Sequence, residues 1–379
     1  MPGAKPMRTF ILIALGGVAW MWTYGVAVGG ADFASSLWQV QRVMYLPIIA
    51  LLYLYALRGP RDYIALGKVL VAAACLKACV AIYVSATVPP PAGKPALEYA
   101  TTHPDSMLFA NAACLVVIML LQHQERKRAI ASFAVLALLI VGMVINNRRL
   151  VWVEVGVGML LVFSLARRTR LKDRVVRGLV VTAPATLGYC VLGWGSYSGV
   201  FRPVQVIRSV VDSSSDMSTM WRDLENYDIC YTIGRNPVFG TGYGHGYIEI
   251  IKLPDVTSVY ALERFIPHNA ILGLWAYGGL IGFTALWTMF PVGIFFAARA
   301  HRWAKDAPSR VASLGAIIAI VIYLVHCWGD MGLGTWVGVF TTAPALAVAA
   351  KLAVATGAWS DARVRRAIPV VATAKEVVV

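Results

Sequence analysis

The chain has 379 residues, a mean hydropathy of +0.67 and only 14% charged residues against 59% hydrophobic ones. Soluble domains carry roughly 25% charged residues, so this composition excludes a mostly water-facing surface. The net charge of +15 invites a nucleic-acid reading, but the bases fall in short clusters between apolar runs, without a basic platform interleaved with aromatics; no nucleic-acid partner is expected.

Apolar runs of bilayer length, about 20 residues, recur along the chain. They predict an all-α polytopic membrane protein with about ten transmembrane helices, near 9–28, 43–57, 64–88, 106–122, 129–145, 150–166, 178–197, 278–298, 311–329 and 333–350. The first run follows Lys5 and Arg8. No small-residue cleavage site follows it closely, so it reads as an uncleaved helix. With the N-terminus inside, inner segments hold 22 Lys and Arg and outer ones 10. That asymmetry predicts cytoplasmic N- and C-termini. The expected organisation is 1–197 for helices one to seven, 198–267 for a large outer loop, 268–350 for helices eight to ten, and 351–379 for a cytoplasmic tail.

Five of the six cysteines sit within apolar runs and only Cys230 lies in the large loop, so no disulfide framework is available. Lys77, in the third run, is an intramembrane cation that either serves function or pairs with Glu154. Arg148 and Arg149 stand at the outer mouth of the fifth and sixth runs, where bases are unexpected. They offer forked donors to a phosphate, snorkel to headgroups, or pair with Glu154. In the outer loop, Ser215 or Asp216 is a candidate cap for a helix over 217–233, which stops at Gly234 with Pro237 beyond. Met220, Leu224, Tyr227 and Tyr231 would line one face of it. Arg222 on this helix is either an i,i+3 partner of its acidic neighbours or a functional cation. A glycine-rich turn, Gly240–Gly246, follows, with His245 expected to be exposed in it. His268 precedes the eighth run; a histidine there either holds a helix start or takes a proton at neutral pH. His326 and Asp330 are spaced i,i+4 at the outer end of the ninth run. No HExxH, GxSxG, nucleotide-binding lysine loop or D-x-D pair is present.

His268-Asn269, nine residues and then Gly279-Leu-Ile-Gly282 resemble the H-N-x9-G-x-x-G pattern of the O-antigen ligase family, which also contains O-antigen polymerases. Arg149-Leu-Val-Trp152 is similar to the family's outer arginine element. Trp221-Arg222 through Pro237-Val-Phe-Gly240-Thr-Gly242 resembles its arginine, amphipathic helix and P-x-x-G-x-G segment. The resemblance covers about 145–285. It implies a GT-C-like fold in the bacterial inner membrane with a periplasmic active site and one large periplasmic loop containing helices. It also implies an undecaprenyl-diphosphate-linked glycan donor and a saccharide or glycolipid acceptor, with no metal or other cofactor. By the same resemblance His268, Arg149 and Arg222 are the expected catalytic residues, and Arg148, Asn269, Gly240, Gly242 and Arg264 the expected substrate-binding ones. Ligation to lipid A-core or a similar acceptor is the first expectation and polymerisation of lipid-linked repeats the alternative. A metal-dependent transferase using Asp32, and a glycolipid flippase using Lys77 and the arginines, are the competing readings.

Overall fold

A computed structural model describes residues 5–90, 99–122, 125–212, 217–255 and 263–359. Thirteen α-helices are numbered in chain order among them: α1 Lys5–Ala27, α2 Phe33–Ala56, α3 Pro60–Thr87, α4 Asp105–Gln122, α5 Arg126–Asn146, α6 Leu150–Leu165, α7 Arg170–Gly193, α8 Arg202–Val211, α9 Met217–Arg235, α10 Ala270–Trp287, α11 Met289–Trp303, α12 Ala307–Gly329 and α13 Trp336–Ala355. The described residues contain no strand. Among the described residues, nine helical stretches are long and apolar enough to cross a membrane, with α10 and α11 counting as one, and α6 is a shorter apolar helix beside them. Lipid offers the backbone no hydrogen bonds, so helices that satisfy every N–H internally are the available solution.

The expected helices are all present, but several begin elsewhere. The second starts at Phe33 rather than 43. Asp32 caps it, accepting from Ser35 N at 2.9 Å, and its early polar residues Ser36 and Gln39 are buried. Inward-facing polar residues lowered the hydropathy of a genuine helix start. Asp32 thus serves as the cap of this helix. The seventh begins at Arg170, capped by Thr169 through Lys172 N. The eighth begins at Ala270 rather than 278, and the last runs on to Ala355.

Helices α4, α12 and α13 form the centre, with Phe109 of α4 and Tyr323 of α12 among the largest fully buried side chains. Against them pack α6, α11 and α2, while α1 packs on α10 and α3 on α5. In a bilayer, burial of apolar surface does not drive helices together; close approach of small residues does. A Cβ at Gly158 of α6 would lie 2.5 Å from Cys114 Sγ of α4, and one at Gly17 of α1 would lie 2.7 Å from Ala285 Cβ of α10. Helix α7 differs from the rest: no residue of its apolar stretch is buried, and it packs on the 3-10 turn Gly199–Phe201 and α8.

Within α10, Gly279 has φ of 55°, and the helix breaks there. The loop segment after α9 inserts its backbone across the break: Leu280 N donates to Pro237 O at 2.8 Å, and Gly242 N donates to Tyr277 O at 2.9 Å. Gly240 has φ of 72°, and a Cβ on it would fall 2.3 Å from Tyr277 O; one on Gly279 would fall 2.3 Å from Val238 O. Both positions therefore demand glycine on two grounds, the left-handed backbone and the lack of room. The two glycine motifs of the sequence are the two halves of one backbone joint.

Candidate active site

Three stretches distant in the chain meet at one end of the bundle. The first is the turn between α5 and α6. Asn147 ends α5 in the left-handed conformation at φ 53°, so Arg148 and Arg149 follow at the corner and α6 begins at Leu150. The second is α9. Its buried stripe is Glu225, Asp228, Ile229 and Thr232, at helical i, i+3, i+4, i+7 spacing. The expected apolar face is the outer one, with Met220, Tyr227 and Tyr231 exposed. The inward polar stripe has a physical cause. Asp228 Oδ1 accepts from Ile250 N and Ile251 N at 3.1 Å each, and Thr232 Oγ1 accepts from Ile248 N at 2.9 Å. The loop backbone needs acceptors, and the polar stripe supplies them. The expected caps Ser215 and Asp216 lie outside the described residues.

The third stretch is the start of α10. Asn269 caps it through Oδ1, which accepts from Leu272 N at 3.1 Å. Asn269 is buried, and its Nδ2 has no hydrogen-bond partner. Just before it, the His268 ring Nδ1 lies 3.0 Å from Glu225 Oε2, and His268 N lies 3.3 Å from both Glu225 oxygens. Glu225 is almost wholly buried and His268 is partly exposed. A carboxylate on Nδ1 fixes the tautomer, so Nε2 is left as the ring nitrogen for the cavity. Burial alone would lower the His268 pKa. The hydrogen bond and charge of Glu225 outweigh it against the opposing Arg222, and the net pKa is above the ordinary histidine value.

A cavity of about 420 Å³ lies among these groups, lined by Arg148, Arg149, Arg222, His268 and Asn269 together with His103, Tyr99 and Trp328. Arg222 Nη1 donates to Gly329 O at 2.9 Å, at the C-terminal end of α12. Arg148 donates to His103 Nε2 and stacks over the Tyr99 ring, 3.3 Å from its centroid. His103 Nδ1 in turn lies 3.0 Å from Asp330 Oδ2. Burial raises the Asp330 pKa, but its pairing with His103 and the charge of His326 win, holding the carboxyl well below the usual range. Beneath this layer, the fully buried Glu154 of α6 meets His326 Nδ1 of α12 at 2.6 Å. Glu154 is therefore the partner of neither Lys77 nor the arginine pair. Lys77 lies 3.3 Å from Asp105.

The remaining expected site residues lie elsewhere. Gly240 belongs to the backbone joint in α10, and Gly242 packs where a Cβ would meet Gly25 Cα at 2.2 Å. Arg264 pairs with Glu249 at 2.9 Å, half exposed. None of the three lines the cavity. His245 is half-buried rather than exposed, donating from Nε2 to Gly25 O at 3.2 Å. Sequence reasoning missed Glu225 and His103. The i, i+3, i+7 spacing of Glu225, Asp228 and Thr232 carried a signal of a polar inward stripe; His103, in an outer connection, carried none.

The geometry joins cations, a tautomer-fixed imidazole and an unpartnered amide, an arrangement suited to an anionic leaving group and a hydroxyl nucleophile. Residues 134–287, from within α5 to the end of α10, match the family model described as O-Antigen ligase. That stretch, less than half of the chain, is similar to the O-antigen ligase and polymerase superfamily, whose members are membrane glycosyltransferase-like enzymes. It contains His268, Asn269, Arg148, Arg149, Arg222 and Glu225. No curated protein matches the chain.

Proposed function

We propose that this protein is a metal-independent, inverting glycosyltransferase of the bacterial inner membrane. It moves a glycan from undecaprenyl diphosphate to a sugar hydroxyl at the periplasmic face, in the manner of an O-antigen ligase. What supports this reading is that His268, Arg149 and Arg222, separated by 46 or more residues in sequence, line a single cavity. His268 Nε2 accepts the proton of the acceptor hydroxyl as its oxygen bonds to the anomeric carbon. The bond from that carbon to the diphosphate oxygen breaks on the opposite face, which inverts the centre. Arg149, with Arg148 and Arg222, offsets the charge that grows on the departing diphosphate, where fixed cations lower a barrier most. Glu225 holds the imidazole in its tautomer and stabilises the imidazolium that forms.

The test is a transfer assay with purified protein, a polyprenyl-diphosphate glycan and a saccharide acceptor. His268→Ala is expected to lower transfer by at least ~100-fold, the range of a lost general base, with the protein still monodisperse in detergent. Near-normal transfer removes the proposed base. Chromosomal deletion separates the two acceptor classes: polymer left on the carrier lipid marks a ligase, whereas single repeats on the acceptor mark a polymerase.

A further inference from the structure

Arg149 stands on a wall between two hollows. On one side is the cavity of His268. On the other is a cleft of about 550 Å³ between the α5–α6 corner and the α7–α8 corner, lined by Arg149, Tyr99, Tyr197, Arg202, Gln205 and Arg208 among others. The two hollows share Tyr99, Asn147 and Arg149. Among the described residues, no acidic side chain lines the cleft. Asp212, beside it, lies 3.3 Å from Arg208 Nε, and Arg208 Nη1 donates to Trp194 O at 3.1 Å. Arg202 is exposed and makes no hydrogen bond or ion pair among the described residues. Tyr197 is 89% exposed. Below this corner, the apolar surface of α7 stands bare of protein.

A forked cation left without a carboxylate attracts a phosphate or carboxylate. An exposed tyrosine beside it gives an apolar face with a polar edge, suited to a sugar ring. The bare flank of α7 provides an apolar bed for the lipid of a membrane-borne ligand. Resting on the function proposed above, transfer requires a second substrate within reach of the first, and the Arg148, Arg222 and His268 cavity already supplies cations for the diphosphate. We propose that the cleft between the α5–α6 and α7–α8 corners is a second subsite, which takes the anion-bearing sugar of the acceptor glycolipid. Arg202 holds the anionic group and Tyr197 the ring, and Arg149 separates this sugar from the diphosphate.

The test reads binding and not transfer, so it stands apart from the proposed reaction. The full chain, in nanodiscs of zwitterionic phosphatidylcholine, is titrated by ligand-observed NMR with glucose 6-phosphate, glucose, glucuronic acid and inorganic phosphate. Glucose 6-phosphate and glucuronic acid are expected to bind more tightly than glucose or phosphate. Arg202→Ala should weaken glucose 6-phosphate about tenfold, the size of one charge-assisted contact, and Tyr197→Ala should weaken it several-fold. Both side chains are exposed, so neither variant threatens the fold; His268→Ala should leave binding in place. Unchanged binding in Arg202→Ala overturns the subsite. So does inorganic phosphate binding as tightly as the sugar phosphate, which would mark a plain anion site. Loss of binding on adding anionic phosphatidylglycerol also overturns it, because the cleft would then be a headgroup site. If binding persists as expected while His268→Ala transfers normally, the reaction scheme fails and the subsite stands.

Discussion

The His268–Glu225 pair makes the behaviour of one residue depend on another 43 positions away. The proposed base works neutral, and Glu225 raises the pKa at which it becomes neutral. The rate should therefore rise with pH through a value above the ordinary ~6.5 of histidine. In Glu225→Gln the burial of the ring and the charge of Arg222 remain, and both pull the pKa down. The acid limb of kcat/KM should then move to lower pH, while the maximal rate falls by ~100-fold as the imidazolium loses its counter-charge. An acid limb that stays in place in Glu225→Gln contradicts the assignment. His268, Arg149 and Arg222 were legible because each sits in a short motif whose chemistry is local. Glu225 was not, because three positions after Arg222 it reads as an ordinary helical ion-pair partner; only the fold turns it toward His268. A second pairing, Arg148 with His103, makes a separate prediction. Asp330 on Nδ1 keeps Nε2 of His103 an acceptor for the guanidinium, so His103 acts as a positioning residue. His103→Ala and Arg148→Ala should cost similar amounts of kcat/KM, and the double variant little more than either. Coupling of about 0.5–3 kcal/mol is the range for residues in contact; strictly additive losses would show that the two act independently.

Among the elements, the joint between the 237–243 segment and α10 ties the loop after α9 to the helix that follows His268. The sequence displayed both glycine motifs, but motif logic assigned Gly240 and Gly242 to substrate. Their Cβ positions are filled by protein backbone, and no sequence pattern distinguishes a glycine that admits a ligand from one that admits another chain segment. A left-handed conformation costs an ordinary residue roughly 1–2 kcal/mol, and the 2.3 Å approaches at Gly240 and Gly279 add a forced shift. Gly279→Ala should lower the melting temperature in detergent and reduce transfer, though Gly279 does not line the cavity. Gly240→Ala should do the same. Combined, they should add little, since either one opens the same joint. Two independent, additive losses of stability would mean that the motifs serve separate structures.

Across the whole molecule, hydropathy found the number of apolar helices because a lipid-facing backbone has few alternatives. It misplaced the start of α2, where the Asp32 cap and buried Ser36 and Gln39 begin the helix before its apolar stretch, and that of α10, which is apolar from its first residues after the Asn269 cap. Sidedness rests on a different property, the surplus of Lys and Arg on one set of connections, 22 against 10. The proposed chemistry needs the end bearing His268 and the arginine corner to face the periplasm, where lipid-linked glycans are joined. Two single-cysteine chains test this. Cys230 is exposed on α9, the helix that carries Arg222 and Glu225. Lys305 is exposed in the connection between α11 and α12, at the opposite end of the same membrane stretch. A membrane-impermeant maleimide applied to intact spheroplasts should label Cys230, and should label Lys305→Cys only after permeabilisation. The reverse pattern would put the arginine cavity in the cytoplasm, beyond reach of a periplasmic donor, and the glycan-transfer reading would fail with every residue still in its place.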